Sequence, residues 1–280
     1  MRNPAFPFFH LSATYDMLVL YFSFALVCLY SVLGHPTSKR TDSDDVWETL
    51  YEGHNAYESE MDHDHPGLRE DLATNGQHPN FMVIACSDSR VAPETVFSAL
   101  PGTVFSERVV ANQFDPEDLP ENVPIFYSIE HLHTHHVVVM GHYGCGGVAA
   151  AIASPPSEPM SDADKGIQKW VRPIRETLAS SDREEIVEFR KSHAGNETIG
   201  EPQLHDPAFR ALVEENVKKN VLNVADSDFM ERHWANSTNP PVFVYGLVYD
   251  IENGEIFDLN VTMGPTGVSP PSSRFPIRSS

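Results

Sequence analysis

Two short motifs bring together the residue types that hold a soft divalent metal. Cys86 opens Cys-Ser-Asp-Ser-Arg, residues 86–90, and His142 opens His-Tyr-Gly-Cys, residues 142–145. Thiolate and imidazole are the ligands zinc prefers, and three protein ligands with one open position mark a catalytic zinc. The His-x-x-Cys spacing lets one loop supply two ligands, and Gly144, Gly146 and Gly147 let the backbone turn tightly round an ion. A closed structural site needs a fourth ligand, and the remaining cysteine, Cys28, lies in an apolar leader. The fourth position falls to water or to Asp88. Arg90 carries a planar fork suited to a carboxylate. Pairing with Arg90 holds Asp88 ionised and draws it off the metal. The carboxylate can then accept a hydrogen bond from zinc-bound hydroxide, since zinc lowers the pKa of its water to ~7. These parts suit attack on a small electrophilic carbon. Two plainer readings stay open: a Cys86–Cys145 disulfide, which leaves His142, Asp88 and Arg90 unexplained, and an ordinary Asp88–Arg90 ion pair.

Positioning falls to two apolar runs. Residues 81–85 (FMVIA) and 137–140 (VVVM) read as buried parallel strands. Cys86 directly follows the first, and Gly141 and His142 follow the second, at the carboxyl ends where open α/β sheets form sites. Residues 103–110 suit another strand, 242–249 a late one, and 255–259 its hairpin partner after the turn Glu252-Asn253-Gly254. Helices are expected over 45–57, 125–133, 146–153, 167–178 and 206–224, with a turn at 62–67 and a loop at 155–164. Residues 181–203 read as part helix, part loop. His63 and His65 in the turn read as a solvated acidic loop rather than as ligands. Strands alternating with helices predict an α/β fold with a mainly parallel central sheet flanked by helices. The expected organisation is a linker over 35–45, a single catalytic domain over 46–264, and a Pro/Ser-rich tail over 265–280 without order of its own.

Charge narrows the partners. The chain of 280 residues holds 40 acidic against 19 basic residues, a net charge of -21. That balance argues against nucleic acid and anionic membrane surfaces. Residues 17–33 carry no charge and precede Gly34-His35-Pro36. The run suits a signal peptide over 1–34, cleaved after Gly34, or a retained signal anchor. Lys39-Arg40 is either a dibasic processing site or a solvated linker. Sequons at Asn196, Asn236 and Asn260 agree with export. Secretion is the expected localisation, with anchoring through 17–33 as the alternative.

With these motifs in view, the chain resembles the β-class carbonic anhydrases. The matching stretches are Ala85-Cys-Ser-Asp-Ser-Arg-Val91, Pro101-Gly102 and Gly141-His-Tyr-Gly-Cys-Gly-Gly-Val148, within a likeness running from about Gln77 to Leu259. The resemblance implies one Zn2+ per chain on Cys86, His142 and Cys145, an Asp88–Arg90 dyad, and reversible hydration of carbon dioxide to bicarbonate and a proton. It implies a pocket for carbon dioxide with Gln77, Phe105, Val110 and Tyr127 at the pocket positions. Plain core packing is the alternative for Phe105 and Val110. It also implies a homodimer, or a dimer of dimers, whose pocket the neighbouring subunit completes. The sequence departs from the pattern at Val109, where the family usually has Asn, and at Tyr245-Gly246-Leu247, where it has His-Gly-Trp. The acidic loop at 114–121 and the insert at 181–203 also look particular to this chain. Two other functions fit the same residues: hydrolysis of another small linear electrophile such as carbon disulfide, or a non-catalytic secreted zinc protein. The intact dyad argues against the latter.

Overall fold

The computed structural model describes residues 46–195 and 198–278, so the leader and the linker lie outside the described residues. Contacts divide the chain after Arg69 into two compact units. In the first, helix α1 (Val46–Asp64) continues past the expected 45–57. Its acidic end is neutralised by Arg69, which donates to Glu58 at 3.3 Å and to Asp62. The turn is thereby confined to residues 65–67, with Gly67 at φ 84°.

Helix α2 (Leu68–Asn75) leads into the larger unit, whose strands are β1 (Phe81–Cys86), β2 (Val104–Val109), β3 (His136–His142), β4 (Phe243–Tyr249) and β5 (Ile256–Met263). They form one sheet in the order β2-β1-β3-β4-β5. The first four run parallel, and β5 is an antiparallel hairpin partner of β4. Register places Cys86 beside Val109, Ala85 beside Met140, and His142 beside Tyr249. The carboxyl ends of β1 and β3 therefore open on the same side.

The connections are α3 (Pro93–Val96), α4 (Leu119–Glu130), α5 (Gly146–Ile152), α6 (Asp162–Trp170), α7 (Arg172–Ser180), α8 (Glu184–Ser192), α9 (Pro207–Ala225) and α10 (Asp228–Ala235). Both sheet faces are apolar, which is why the strands read as continuous runs. Met82, Ile84, Val137, Val139, Val244 and Val248 share the main core with Leu212, Val213, Val217 and Val221 of α9. Each such side chain fully buried contributes about 1.5–3 kcal/mol. Val83, Ala85, Val138, Met140 and Leu247 form a smaller cluster on the opposite face. Helix α9 lies so close to β3 that a Cβ at Gly141 would collide with Cγ2 of Val217.

Several elements differ from expectation. Helix α4 begins at Leu119 rather than 125, because Asp118 caps it by accepting from the Glu121 amide at 3.4 Å. Pro120 sits in the first turn, where its missing N–H costs nothing. The run 167–178 is two helices broken at Val171, with Pro in the first turn of the second. Helix α10, not expected, is capped by Ser227, whose Oγ accepts from the Met230 amide at 3.4 Å. The largest correction concerns the tail. Asp258 donates its amide to the Pro276 carbonyl at 2.9 Å, and the Arg278 amide donates back to the Asp258 carbonyl at 2.8 Å. Ile277 thereby pairs with Asp258 beside β5, so the segment approaching residue 278 is an ordered strap.

Candidate metal centre

Cys86 closes β1, His142 closes β3, and Cys145 is the residue before the first turn of α5. Their ligand atoms lie within 4.8 Å of one another, and all three side chains are buried. The sulfurs of Cys86 and Cys145 are 3.9 Å apart. That is almost twice a disulfide bond of ~2.05 Å, and both cysteines are free thiols. Gly144 makes the turn between the two ligands of the second motif with φ 74°, a conformation that favours glycine.

The imidazole of His142 is oriented by its own loop. Nδ1 lies 3.1 Å from the Tyr143 carbonyl oxygen, which can only accept, so Nδ1 carries the proton. Nε2 is left with a bare lone pair, buried and without a hydrogen-bond partner among the described residues. An orphaned buried nitrogen facing two thiols is a donor set that fits a divalent metal such as zinc. The Ala111 amide donates to the Cys86 sulfur at 3.3 Å. The hydrogen bond from Cys145, then His142, pulls the Cys86 thiol well below its ordinary value against the opposing effect of burial. The same Cys86 contact, with burial, pushes the Cys145 thiol up, against the Gly147 and Val148 amides. Two thiolates this close repel each other, so a cation held between them would favour both sulfurs in the charged, ligating form.

Asp88 stands at the mouth of this cluster. Its Oδ1 accepts from Arg90 Nε at 2.9 Å and from the Arg90 amide at 3.0 Å, and its Oδ2 accepts from Arg90 Nη2 at 2.6 Å. These bonds hold the carboxyl at about 2. Oδ2 is 3.9 Å from His142 Nε2. Arg90 Nη2 also reaches the Gly144 carbonyl at 3.3 Å, joining the two motifs. Arg108, on β2, braces the same segment from behind, donating to the carbonyls of Cys86 at 3.1 Å and Asp88 at 2.6 Å.

Residues 81–256 match the carbonic anhydrase family. This chain belongs to that family, in its β class. A carbonic anhydrase of Emericella nidulans is 30% identical over 216 residues, covering 76% of this chain and 83% of that protein. The Coccomyxa β-carbonic anhydrase in complex with acetazolamide superposes with a TM-score of 0.63 at 26% identity, covering 80% of this chain and 89% of that one. CafA, the β-carbonic anhydrase of Aspergillus fumigatus, gives 0.59 at 28% identity, covering 80% and 92%. The chain thus joins a family of carbon dioxide-hydrating enzymes.

Against the family's expected pocket positions, Phe105 and Tyr127 come together, with ring centroids 6.0 Å apart and planes tilted by 26°. Phe105 packs on the main core, which keeps a structural role for it. Val110 borders the ligand loop, since a Cβ at Gly147 would lie 2.8 Å from its Cγ1. Val110 and Tyr127 are 45% and 46% exposed. Gln77 is exposed on the loop before β1, and no hydrogen bond ties its side chain to the other three. The acidic stretch at 114–121 forms the entry to α4, where Glu121 accepts from the Asp115 amide at 2.7 Å.

Proposed function

We propose that this carbonic anhydrase uses one zinc ion per chain, held by Cys86, His142 and Cys145, and that Asp88 and Arg90 serve its catalysis. The observation that carries the reading is His142 Nε2, buried, partnerless among the described residues, and grouped with two free thiols. A zinc ion bound there supplies an activated water nucleophile at neutral pH. The chain's own residues do the rest. The Tyr143 carbonyl fixes the imidazole tautomer that leaves Nε2 available. The fork of Arg90 keeps Asp88 ionised and turned toward the guanidinium. An ionised carboxylate only accepts, so Asp88 orients a proton-bearing nucleophile by taking its hydrogen bond and leaves the lone pair for carbon.

Phe105, Val110 and Tyr127 offer apolar surface for carbon dioxide, and Gln77 offers an amide for its oxygen. The half-exposed Val110 and Tyr127 favour a second copy closing over this face, hence a homodimer or a dimer of dimers. Export is part of the same reading. The uncharged run 17–33 motivates it, and Asn236 and Asn260 are exposed sequon positions, while Asn196 lies outside the described residues. Secretion after cleavage is the proposed state, and anchoring by 17–33 the alternative.

The test is Cys145→Ser. The variant should lose zinc by metal analysis and carbon dioxide hydration by stopped flow. A folded variant that keeps one zinc per chain and full activity would sink the ligand assignment.

A further inference from the structure

A carboxylate buried to 1% exposure is costly unless charged donors surround it. Glu214, on α9, is such a group. It accepts from three segments far apart in sequence. The Tyr143 hydroxyl donates to Oε1 at 2.5 Å, Arg278 Nε donates to the same oxygen at 3.1 Å, and Arg183 Nη1 donates to Oε2. Tyr143 lies inside the His-x-x-Cys motif, between two ligands.

Tyr143 is held on every side. Its amide donates to the Tyr249 carbonyl at 3.0 Å. The guanidinium of Arg210 lies 3.5 Å above its ring centroid and is itself fixed to Asp250 at 2.8 Å. Its carbonyl accepts from Nδ1 of His142. A rotation of the Tyr143 backbone therefore turns the His142 imidazole and displaces the loop carrying Cys145. Glu214 fixes the far end of that lever. Arg278 reaches it from the strap beside β5, held by the Arg278 amide on the Asp258 carbonyl at 2.8 Å.

We infer that Glu214 is a positioning residue for the metal ligands, acting through Tyr143, and that Arg278 of the C-terminal strap pins it in place. Glu214 makes no hydrogen bond to any ligand atom, so its effect passes through the orientation of His142 and the placement of Cys145. The inference rests on the metal assignment above. Groups bonded directly to a ligand typically account for about 10–100-fold in metal affinity or activity, and a group one step further out has a smaller effect.

The full-length zinc-loaded chain tests it, with Tyr143→Phe, Glu214→Gln and Arg278→Ala compared by zinc transfer to a chelator and by the visible spectrum after cobalt substitution. Arg190→Ala, which loses bonds to the Leu178 and Ser181 carbonyls, controls for general destabilisation. Tyr143→Phe and Arg278→Ala should each weaken zinc binding measurably, by less than the ~10–100-fold typical of a group bonded directly to a ligand, and shift the cobalt bands. Their double variant should show less than the summed effect, because both act through Glu214. Arg190→Ala should lower the melting temperature and leave the cobalt bands in place. If Glu214→Gln does not fold, the other two variants and their cycle decide. Folded Tyr143→Phe and Arg278→Ala chains with wild-type zinc affinity and spectrum would overturn the inference alone, as would fully additive effects. A wild-type chain that binds no zinc would overturn the metal assignment, and this inference with it.

Discussion

Replacing Arg90 by Ala removes two of the three hydrogen bonds that hold Asp88 and leaves the one from the Arg90 amide. The carboxyl is drawn from 3.8 to about 2, with the Arg90 side chain as the first cause. That displacement corresponds to roughly 2–3 kcal/mol in favour of the ionised, paired state. Arg90 is 54% exposed, so solvent screening reduces its share to about 1–2 kcal/mol. The loss changes the balance between paired and released carboxylate by about 5–30-fold. A released Asp88 has a short path, since Oδ2 already lies 3.9 Å from His142 Nε2. The variant should therefore keep its zinc, lose stopped-flow hydration by up to about 30-fold, and show a carboxylate in place of the exchangeable water in its cobalt spectrum. Arg90→Lys, with the charge but not the fork, should fall between. An Arg90→Ala chain with normal turnover and a labile water would show that Arg90 does not hold Asp88 off the metal and would reduce Asp88–Arg90 to a structural pair.

Acid should separate the wild type from Asp88→Asn: a depressed carboxyl contributes stability above its unfolded pKa of ~3.9 and loses it as pH falls toward ~2. The difference in melting temperature should be constant above about pH 5 and shrink below about pH 4, and a constant difference down to about pH 2 would contradict the pairing. Gly141→Ala drives a methyl into Val217, so urea denaturation should register a loss of about 1–3 kcal/mol; an unchanged midpoint would mean that α9 is not packed as described. N-terminal sequencing of the native protein should begin after Gly34, or after Arg40 if dibasic processing occurs, and an intact Met1 on a soluble cytosolic protein would contradict export.

The metal centre was legible because chemistry and pattern agreed. Outside the apolar leader, the only cysteines follow or adjoin two apolar runs, and strands buried on both faces leave such runs in the sequence. Cys86 and His142 thus came with their elements attached. What escaped was polar and buried. Glu214, Asn216 and Asn220 on α9 are polar residue types that usually face solvent, yet all are buried. Asn216 donates to the Ala111 carbonyl at 2.9 Å and Asn220 accepts from the Phe114 amide at 2.8 Å, fixing the segment that backs Cys86. Their partners lie about a hundred residues away, and no local period encodes that. Arg108 gave a usable signal, a lone cation within the run 103–110, and its donation to the Cys86 and Asp88 carbonyls explains it. Pro120 and Pro124 hid the start of α4, although the first turn tolerates Pro120. The tail was misread because composition reports a lack of core-forming residues, while its order comes from backbone bonds to Asp258.

Carbon dioxide hydration by the purified chain, followed by stopped flow alongside metal analysis, decides whether Cys86, His142 and Cys145 form a working zinc centre. The purified chain should carry one zinc, lose hydration on chelation, and recover it when zinc returns. Active protein without zinc, or active protein with Cys86 and Cys145 joined in a disulfide, would contradict it.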